Sequence, residues 1–303
     1  MRSRRESMLA DNELMNAFTF RDPVNHSFRL NERPWWMLIA IAAWVIASGL
    51  AGMNSVLGQA SDRLTPIQRE IEKQRQRLAS AEVEERRDAL MRLGNLHRPD
   101  ASRAAVTALS DPVPVVRVAA AHAIVSLPAD EAANLLLPLL QDKLEFIRRE
   151  AAYALGETRS RSAVMPLTNL LVMDKEASVR AAAAIALGQI GDQSVTQALT
   201  RVLSGSPREG KKKSKGETDG FVMSAAARAL GQIHSAASVN VLIATLSNES
   251  VASDVRREAA TALGQIGDSS AVPALRAAVA SSDSYVSEAA RTALRKLHAA
   301  ARN

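Results

Sequence analysis

The stretch VRAAAAIALGQIGD, residues 179–192, decides the fold because the chain repeats it. It reads as one helix that ends at a glycine. With Gly188 taken as position zero, the pattern recurs at spacings of 31, 31, 32, 43, 33 and 31 residues. The residues at position zero are Gly94, Val125, Gly156, Gly188, Gly231, Gly264 and Arg295. Self-similarity at such a period predicts a solenoid of stacked helical units.

Three positions ahead of the glycine predict how this helix packs. Position −5 is alanine in all seven copies: Ala89, Ala120, Ala151, Ala183, Ala226, Ala259 and Ala290. Position −1 is Leu93, Ile124, Leu155, Leu187, Leu230, Leu263 and Leu294. Position −9 is Glu85 in the first copy and then Val116, Ile147, Val179, Val222, Val255 and Val286. Residues four apart share one helical face, so this stripe is predicted to be the core seam. The glycine at zero is expected to close the helix in the left-handed conformation.

A second set of apolar segments alternates with these helices. They lie at residues 132–140, 163–171, 195–203, 239–246 and 271–279. A period of 31 residues leaves room for two antiparallel helices with short turns and for nothing more. The predicted fold is therefore all-α, an α-solenoid of about seven antiparallel helix pairs.

The repeat resembles a known family. The sequences VRREAATALGQIGD at 255–268 and AVPAL at 271–275 are similar to the short HEAT-like repeats named for phycobilisome lyases. The resemblance covers about residues 65–300, and it implies a fold that hosts many roles. It also brings two enzymatic precedents, chromophore lyases and deoxyhypusine hydroxylase, whose di-iron site uses His-Glu pairs.

The composition limits the possible functions. The 303 residues include no cysteine, which excludes disulfides, thiolate metal sites and cysteine nucleophiles. Hydrophobic residues make up 47% and aromatics only 3%, which fits small side chains packing helix on helix. The formal net charge of +6 is spread over many helices, so it favours ordinary solubility, and we expect no nucleic-acid partner.

The N-terminal part predicts contact with a membrane. Residues 1–33 read as a polar tail, and 34–58 as one hydrophobic helix that precedes the array. Residues 35–57 contain no charge and are long enough to span a bilayer of about 30 Å. The positive-inside rule then predicts a single-pass protein with a cytoplasmic N-terminus and exported repeats. The alternatives are a signal peptide cleaved after Ala60, giving a secreted or periplasmic protein, and a buried helix of a soluble protein.

The remaining chain divides into a linker with a charged capping helix at 59–80 and the repeats at 81–303. Thr65 and Pro66 are a typical helix start, an N-cap hydroxyl followed by proline. A thin apolar face suits the outer cap of a solenoid.

An arginine occupies position −8 in five copies, at Arg86, Arg117, Arg148, Arg180 and Arg256. Asp111, Asp142 and Asp174 each precede one of these arginines by six residues. One hypothesis is an arginine ladder that binds a polyanion. The regular spacing favours the other, in which each arginine pairs with turn aspartates of its own or an adjacent unit. Met223 and Ser287 interrupt the ladder.

The 43-residue spacing contains a basic insertion at 204–220, with Lys211, Lys212, Lys213 and Lys215. Its composition is that of a solvated loop. The functional alternative is a finger that docks on anionic lipid headgroups or on an acidic partner, and polyanion binding would make its affinity steeply salt-dependent.

No His-Glu dipeptide occurs in the chain, so the hydroxylase-type di-iron site is not expected, and we predict no cofactor or metal site. The sequence therefore favours a non-enzymatic scaffold that binds another, unidentified protein. The alternative is an enzyme or enzyme subunit of the lyase or hydroxylase kind. Function is expected where the copies disagree, at Met223, Ser287 and the lysine loop.

The seam predicts the effect of one substitution. Ala183→Leu adds three carbons at the middle of the stripe and is expected to lower the free energy of unfolding by about 1–3 kcal/mol through overpacking. Thermal unfolding measures the change, and an unaltered melting temperature would refute the seam.

Overall fold

The computed structural model describes residues 64–205 and 218–300, and these form an array of helix pairs. The first helices are α1 Pro66–Arg77, α3 Pro99–Ala105, α5 Ala129–Leu136, α7 Val164–Met173, α9 Thr196–Leu203, α11 Val239–Ser247 and α13 Val272–Ala278. The second helices are α2 Val83–Asn95, α4 Pro114–Ala123, α6 Glu145–Thr158, α8 Ala177–Ile190, α10 Thr218–Gln232, α12 Ser253–Ile266 and α14 Ser284–Ala300. The described ranges thus contain seven pairs, as the period predicts.

Short 3-10 helices adjoin the first helix of six pairs. Two of them, Val106–Ser110 and Leu137–Gln141, extend α3 and α5, and the others are Arg161–Ala163, Gln193–Val195, Ala236–Ser238 and Ser269–Ala271. The array begins as predicted at Thr65, whose hydroxyl accepts a hydrogen bond from the backbone N–H of Gln68. The Gln68 side chain in turn accepts from the Thr65 N–H, which completes a capping box.

The predicted seam is the core of the array. All seven alanines at position −5 are fully buried, and so are the leucines and isoleucine at −1 up to Leu263. The residues at −9 are buried from Val116 onward, whereas Glu85 is exposed. Each second helix packs on the next, α6 on α8, α8 on α10, α10 on α12 and α12 on α14.

The predicted role of the glycines at position zero was wrong, because they lie inside the second helices and none has a positive φ. They permit close approach instead. A Cβ added to Gly188 would lie 2.8 Å from the Ala229 Cα, and one added to Gly264 would lie 2.7 Å from the Ala293 Cα. Each zero-position glycine therefore faces the alanine at −2 of the next unit, and at Gly156, Gly188, Gly231 and Gly264 only hydrogen fits between them.

The left-handed residue that closes the second helix comes three positions later. It is His97, Arg159, Gly191, His234 and Gly267 in the five units that have one. In the GQIGD ending, Gly191 closes α8 and Asp192 then starts the following 3-10 helix. The Asp192 carboxylate accepts a 2.9 Å hydrogen bond from the Ser194 N–H, and Asp268 repeats this contact with Ser270 at 2.8 Å.

The membrane prediction is corrected by the structure. None of the helices within 64–205 and 218–300 combines the length and the apolar character needed to cross a bilayer. The hydrophobic segment 34–58, with the 35–57 span assigned to it, lies outside the described residues. For the part of the chain that the structure describes, the predicted single-pass localisation with exported repeats was therefore wrong. The tail at 1–33 and residues 206–217 of the insertion predicted at 204–220 also lie outside the described ranges.

The close approach at position zero predicts that Gly188→Ala lowers the free energy of unfolding by about 1–3 kcal/mol, because α8 and α10 must move apart. Gly94→Ala is the matched control, since its added Cβ would meet the nearest atom, the Ala123 Cα, at 3.3 Å. There the better helix propensity of alanine, about 1 kcal/mol, offsets the contact. Chemical denaturation compares the two, and equal effects would contradict the assignment.

Candidate functional site

The arginines at position −8 lie between neighbouring units. The distance from Arg86 Nε to Asp111 Oδ2 is 2.8 Å, from Arg117 Nη2 to Asp142 Oδ2 2.9 Å, and from Arg148 Nε to Asp174 Oδ2 2.7 Å. In each pair the aspartate belongs to the unit that follows. The Asp111, Asp142 and Asp174 side chains also accept a hydrogen bond from the backbone two residues on, which holds the turn in place.

Each of these arginines also binds its own unit. Nη1 of Arg148 donates to the carbonyl oxygens of Asp142 and Lys143, at 2.9 and 3.4 Å. Arg180 does the same to the carbonyls of Asp174 and Lys175, both at 3.0 Å. Arg256 departs from the pattern, since its Nε donates to the Leu246 carbonyl.

Burial decides what this ladder can bind. Arg148 is 8% exposed and Arg180 only 3%, so their guanidinium groups face the protein. Burial alone would raise the pKa of Asp111 and Asp174, but hydrogen bonds from Arg86 and Arg148 hold both pKa values below the usual range. The geometry makes the ladder a link between units that leaves little surface for a polyanion.

The other predicted site residues form no cluster within the described ranges. Lys211, Lys212, Lys213 and Lys215 lie outside the described ranges. Met223 is half-buried against the core, and the Ser287 hydroxyl donates to the Val279 carbonyl at 2.7 Å. Within 64–205 and 218–300 no three histidine or acidic side chains converge as metal ligands would.

A different surface emerges from the second helices. Positions −10 and −3 are seven residues apart, so both lie on one side of the helix. We call the surface formed by positions −10, −7, −3 and +1 of the second helices the second-helix face. All four aromatic residues after residue 64 lie at two of these positions. Phe146, Phe221 and Tyr285 are at −10, and Tyr153 is at −3.

These aromatic side chains are accessible to solvent. Phe221 is 58% exposed and Tyr285 73% exposed, and Phe146 and Tyr153 are half-buried. Met91, at −3, and Val115, at −10, add exposed apolar surface in the first two units. The face therefore presents large apolar groups that no described residue covers completely.

Ion pairs flank the centre of this face. On one side His122 Nε2 lies 3.2 Å from Glu150 Oε2, and the other Glu150 oxygen accepts from Arg149 Nε at 3.0 Å. On the other side Arg228 donates two hydrogen bonds to Glu258, at 2.9 and 3.2 Å. The helix between them, α8, carries no charged residue on the face: its positions are Ser178, Ala181, Ile185 and Gln189.

A shallow cavity lies at the last two second helices. Its volume is about 330 Å³, and Arg257, Thr261, Tyr285, Thr292 and Lys296 contribute to its lining. Glu288 closes one edge and binds Arg295 at 3.2 Å. Mixed polar and aromatic lining of this kind continues the face to its end.

The second-helix face was not predicted from the sequence, because function was expected at Met223, Ser287 and the lysine loop. The signal was present in the sequence. Once the copies are aligned, two of the 31 positions contain every aromatic residue of the array, and neither belongs to the buried stripe.

The aspartate pKa values predict how stability depends on pH. Asp111 and Asp174 bind protons more weakly in the folded chain than in the unfolded chain, where an aspartate has a pKa of about 3.9. Their contribution is complete above that value and is lost as the pH falls through the native pKa. We expect Asp174→Asn to destabilise the chain by about 1–3 kcal/mol at pH 7, with the difference from the parent shrinking toward pH 3.

Urea unfolding at several pH values measures this difference. Asp254→Asn is the control, because that side chain is 75% exposed in its pair with Arg257 and should cost less than about 1 kcal/mol. A destabilisation of Asp174→Asn that stayed constant between pH 7 and pH 3 would contradict the proposed linkage.

Comparison with known proteins agrees with this architecture. The family model described as HEAT repeats matches residues 71–155, 145–213 and 216–295. Among solved structures, the chain is similar to the CpcE–CpcF complex of phycocyanin lyase from Nostoc sp. PCC7120, with 23% identity, a TM-score of 0.46 and coverage of 78% of this chain and 95% of that chain. The chain is also similar to human deoxyhypusine hydroxylase, with 20% identity, a TM-score of 0.37 and coverage of 76% of this chain and 96% of that chain. A designed armadillo repeat protein matches with 17% identity, a TM-score of 0.35 and coverage of 75% of this chain and 99% of that chain.

No curated protein matches the chain significantly. The similarities to solved structures concern the repeat fold alone. The family model, in contrast, spans nearly all of residues 71–295, well over half of the sequence. The chain therefore belongs to the HEAT-repeat family.

Proposed function

We propose that this protein is a non-enzymatic scaffold whose second-helix face binds another protein. The observation that carries the proposal is that the four aromatic residues after residue 64 all lie at positions −10 and −3 of that face. They are Phe146, Tyr153, Phe221 and Tyr285. Among the described residues, the buried apolar core consists of alanine, leucine, valine and isoleucine and contains no aromatic side chain.

These exposed aromatic side chains contribute more free energy to binding than to folding. An aromatic side chain that stays largely in water gains little from the fold, whereas its burial at an interface contributes free energy at about 25 cal/mol per Å² of apolar area. Aromatic residues are also the side chains that most often dominate the energy of protein interfaces. Exposed Phe221 and Tyr285 thus match the anchors of a docking surface.

The other functions considered from the sequence have less support. Lipid or polyanion binding would depend on Lys211, Lys212, Lys213 and Lys215, which lie outside the described residues. A lyase or hydroxylase role has its precedent in the repeat family, and no arrangement of described side chains adds to that precedent. The exposed aromatic side chains of the second-helix face support protein binding.

Site-specific photo-crosslinking tests the proposal. Benzoylphenylalanine is placed at Phe221 or at Tyr285 in cells that produce the protein natively, and crosslinked partners are identified by mass spectrometry. We expect the same partner to be captured from both positions, because both lie on one face.

Met165 is the matched control position, since it is an equally large apolar residue, 68% exposed, on the first helix α7. Crosslinks that form from Met165 and from neither Phe221 nor Tyr285 would overturn the assignment of the face.

A further inference from the structure

The glutamines at position +1 form a row of side-chain amides along the second-helix face, which we call the amide row. Gln189, Gln232 and Gln265 occupy this position on α8, α10 and α12. Gln189 and Gln232 are exposed and Gln265 is half-buried. None of the three side chains forms a hydrogen bond with another described residue. Three successive units thus present an amide that the described part of the chain leaves available to a ligand.

The zero-position glycines fix the orientation of these amides. A Cβ added to Gly156, Gly188 or Gly231 would overlap the side-chain oxygen of the glutamine on the next second helix. Each oxygen therefore lies against a glycine Cα, as in a weak Cα–H···O contact, and the Gln265 oxygen is buried there. The reverse orientation would press an amide hydrogen against the glycine. The NH2 group of each amide is therefore turned outward as a hydrogen-bond donor.

The spacing of the second helices selects the backbone conformation that the amide row can bind. A Cβ added to Gly188 would lie 2.8 Å from the Ala229 Cα. With a Cα–Cβ bond of about 1.5 Å and helix radii of about 2.3 Å, this contact places the axes of α8 and α10 at most about 9 Å apart. Polyproline II rises about 3.1 Å per residue, so three residues advance about 9.3 Å. A β-strand repeats after two residues, about 6.6 Å, and would lose register with the units.

Polyproline II also leaves its carbonyl oxygens available. Its backbone makes no internal hydrogen bonds, so the carbonyl of every third residue can accept from one outward amide per unit. The carbonyls of an α-helix are already bonded within the helix. The amide row therefore matches an extended segment in both spacing and hydrogen bonding.

The residues at the two ends of the amide row carry opposite charges. Position +1 is Glu157 on α6 and Lys296 on α14, and both side chains are exposed. Neither pairs with another described residue. Glu288, which lies near Lys296 at the edge of the cavity, is in contrast bound to Arg295 at 3.2 Å. Within the described residues the row thus runs from a carboxylate to an ammonium group that both lack an ionic partner.

The cavity at the Lys296 end offers an apolar contact beside this charge. Tyr285, Ala289 and Ala293 contribute to its wall, and its volume is about 330 Å³. Aromatic side chains of this kind are typical contacts for the prolines of an extended segment.

We propose that the amide row binds an extended, proline-rich segment of a partner protein in the polyproline II conformation, with one turn per unit. This proposal rests on the proposed function and names the kind of segment that the face accepts. The outward NH2 groups of Gln189, Gln232 and Gln265 donate to the backbone carbonyls of successive turns. A basic side chain of the segment binds Glu157, and an acidic side chain about twelve residues away binds Lys296. A proline next to the acidic residue enters the cavity.

A displayed library of random 18-residue peptides tests this proposal on the full chain. The enriched peptides are expected to be rich in proline and to contain a basic and an acidic residue about twelve positions apart. Their affinities are measured by fluorescence polarisation. Enrichment of sequences with apolar residues at helical spacing, or no enrichment at all, would overturn the proposal.

Two variants of similar shape test the amide row. Gln232→Glu replaces the outward donor by an acceptor and should weaken binding of an enriched peptide at least tenfold, because the carboxylate repels the backbone carbonyl. Gln197→Glu is the matched control, since Gln197 is an exposed glutamine on the first helix α9, and it should leave affinity within twofold. Circular dichroism verifies that both variants fold. Equal affinities for the two variants would exclude the amide row.

A charge reversal tests the direction of the segment. Lys296→Glu should weaken binding of the same peptide at least fivefold, and replacing the acidic residue of the peptide by lysine should restore the affinity. A loss of affinity that this second change does not restore would contradict the pairing with Lys296.

The outcomes separate this proposal from the broader one. Partner crosslinks at Tyr285 combined with a peptide that ignores Gln232→Glu would retain the binding face and reject the amide row. Crosslinks at neither Tyr285 nor Phe221 would reject the face as a whole.

Discussion

The close contact between successive second helices is the constraint on which the rest of the array depends. A glycine hydrogen on one helix meets an alanine on the next, and a single added carbon at Gly156, Gly188, Gly231 or Gly264 would come within 3 Å of it. This contact sets both the spacing and the register of the stack. Because the register is fixed, positions −10 and −3 of every unit line up, and the aromatic residues of different units form one surface.

The arginine–aspartate pairs reinforce the stack away from this contact. Each guanidinium joins two carbonyls of its own loop to a carboxylate of the next unit, so the turn conformation and the unit spacing are stabilised together. Met223 occupies the arginine position in the fifth unit, where no such pair can form. There Arg228 joins α10 to α12 through two hydrogen bonds to Glu258.

Much of this architecture could be predicted from the sequence, because a period of about 31 residues repeats both the packing stripe and the turns. The helix pairs, the alanine seam and the Thr65 cap followed from local patterns. The role of the glycines did not, since glycine serves equally for a left-handed helix end and for close packing. The actual closing position is occupied in three units by histidine or arginine, which gives no pattern to recognise. The second-helix face depends on which residues of successive units line up, and this is a property of the assembled stack.

The arginine–aspartate link has a consequence for how such a chain can grow. The second and third units each supply a turn that accepts from the unit before it and an arginine that reaches the unit after it, so the contact runs head to tail. Duplication of the third unit would place Arg148 again opposite an aspartate and Gly156 again opposite an alanine. The array can therefore lengthen in steps of one unit without redesign of its internal contacts, whereas its outward rows remain free to diverge with each copy.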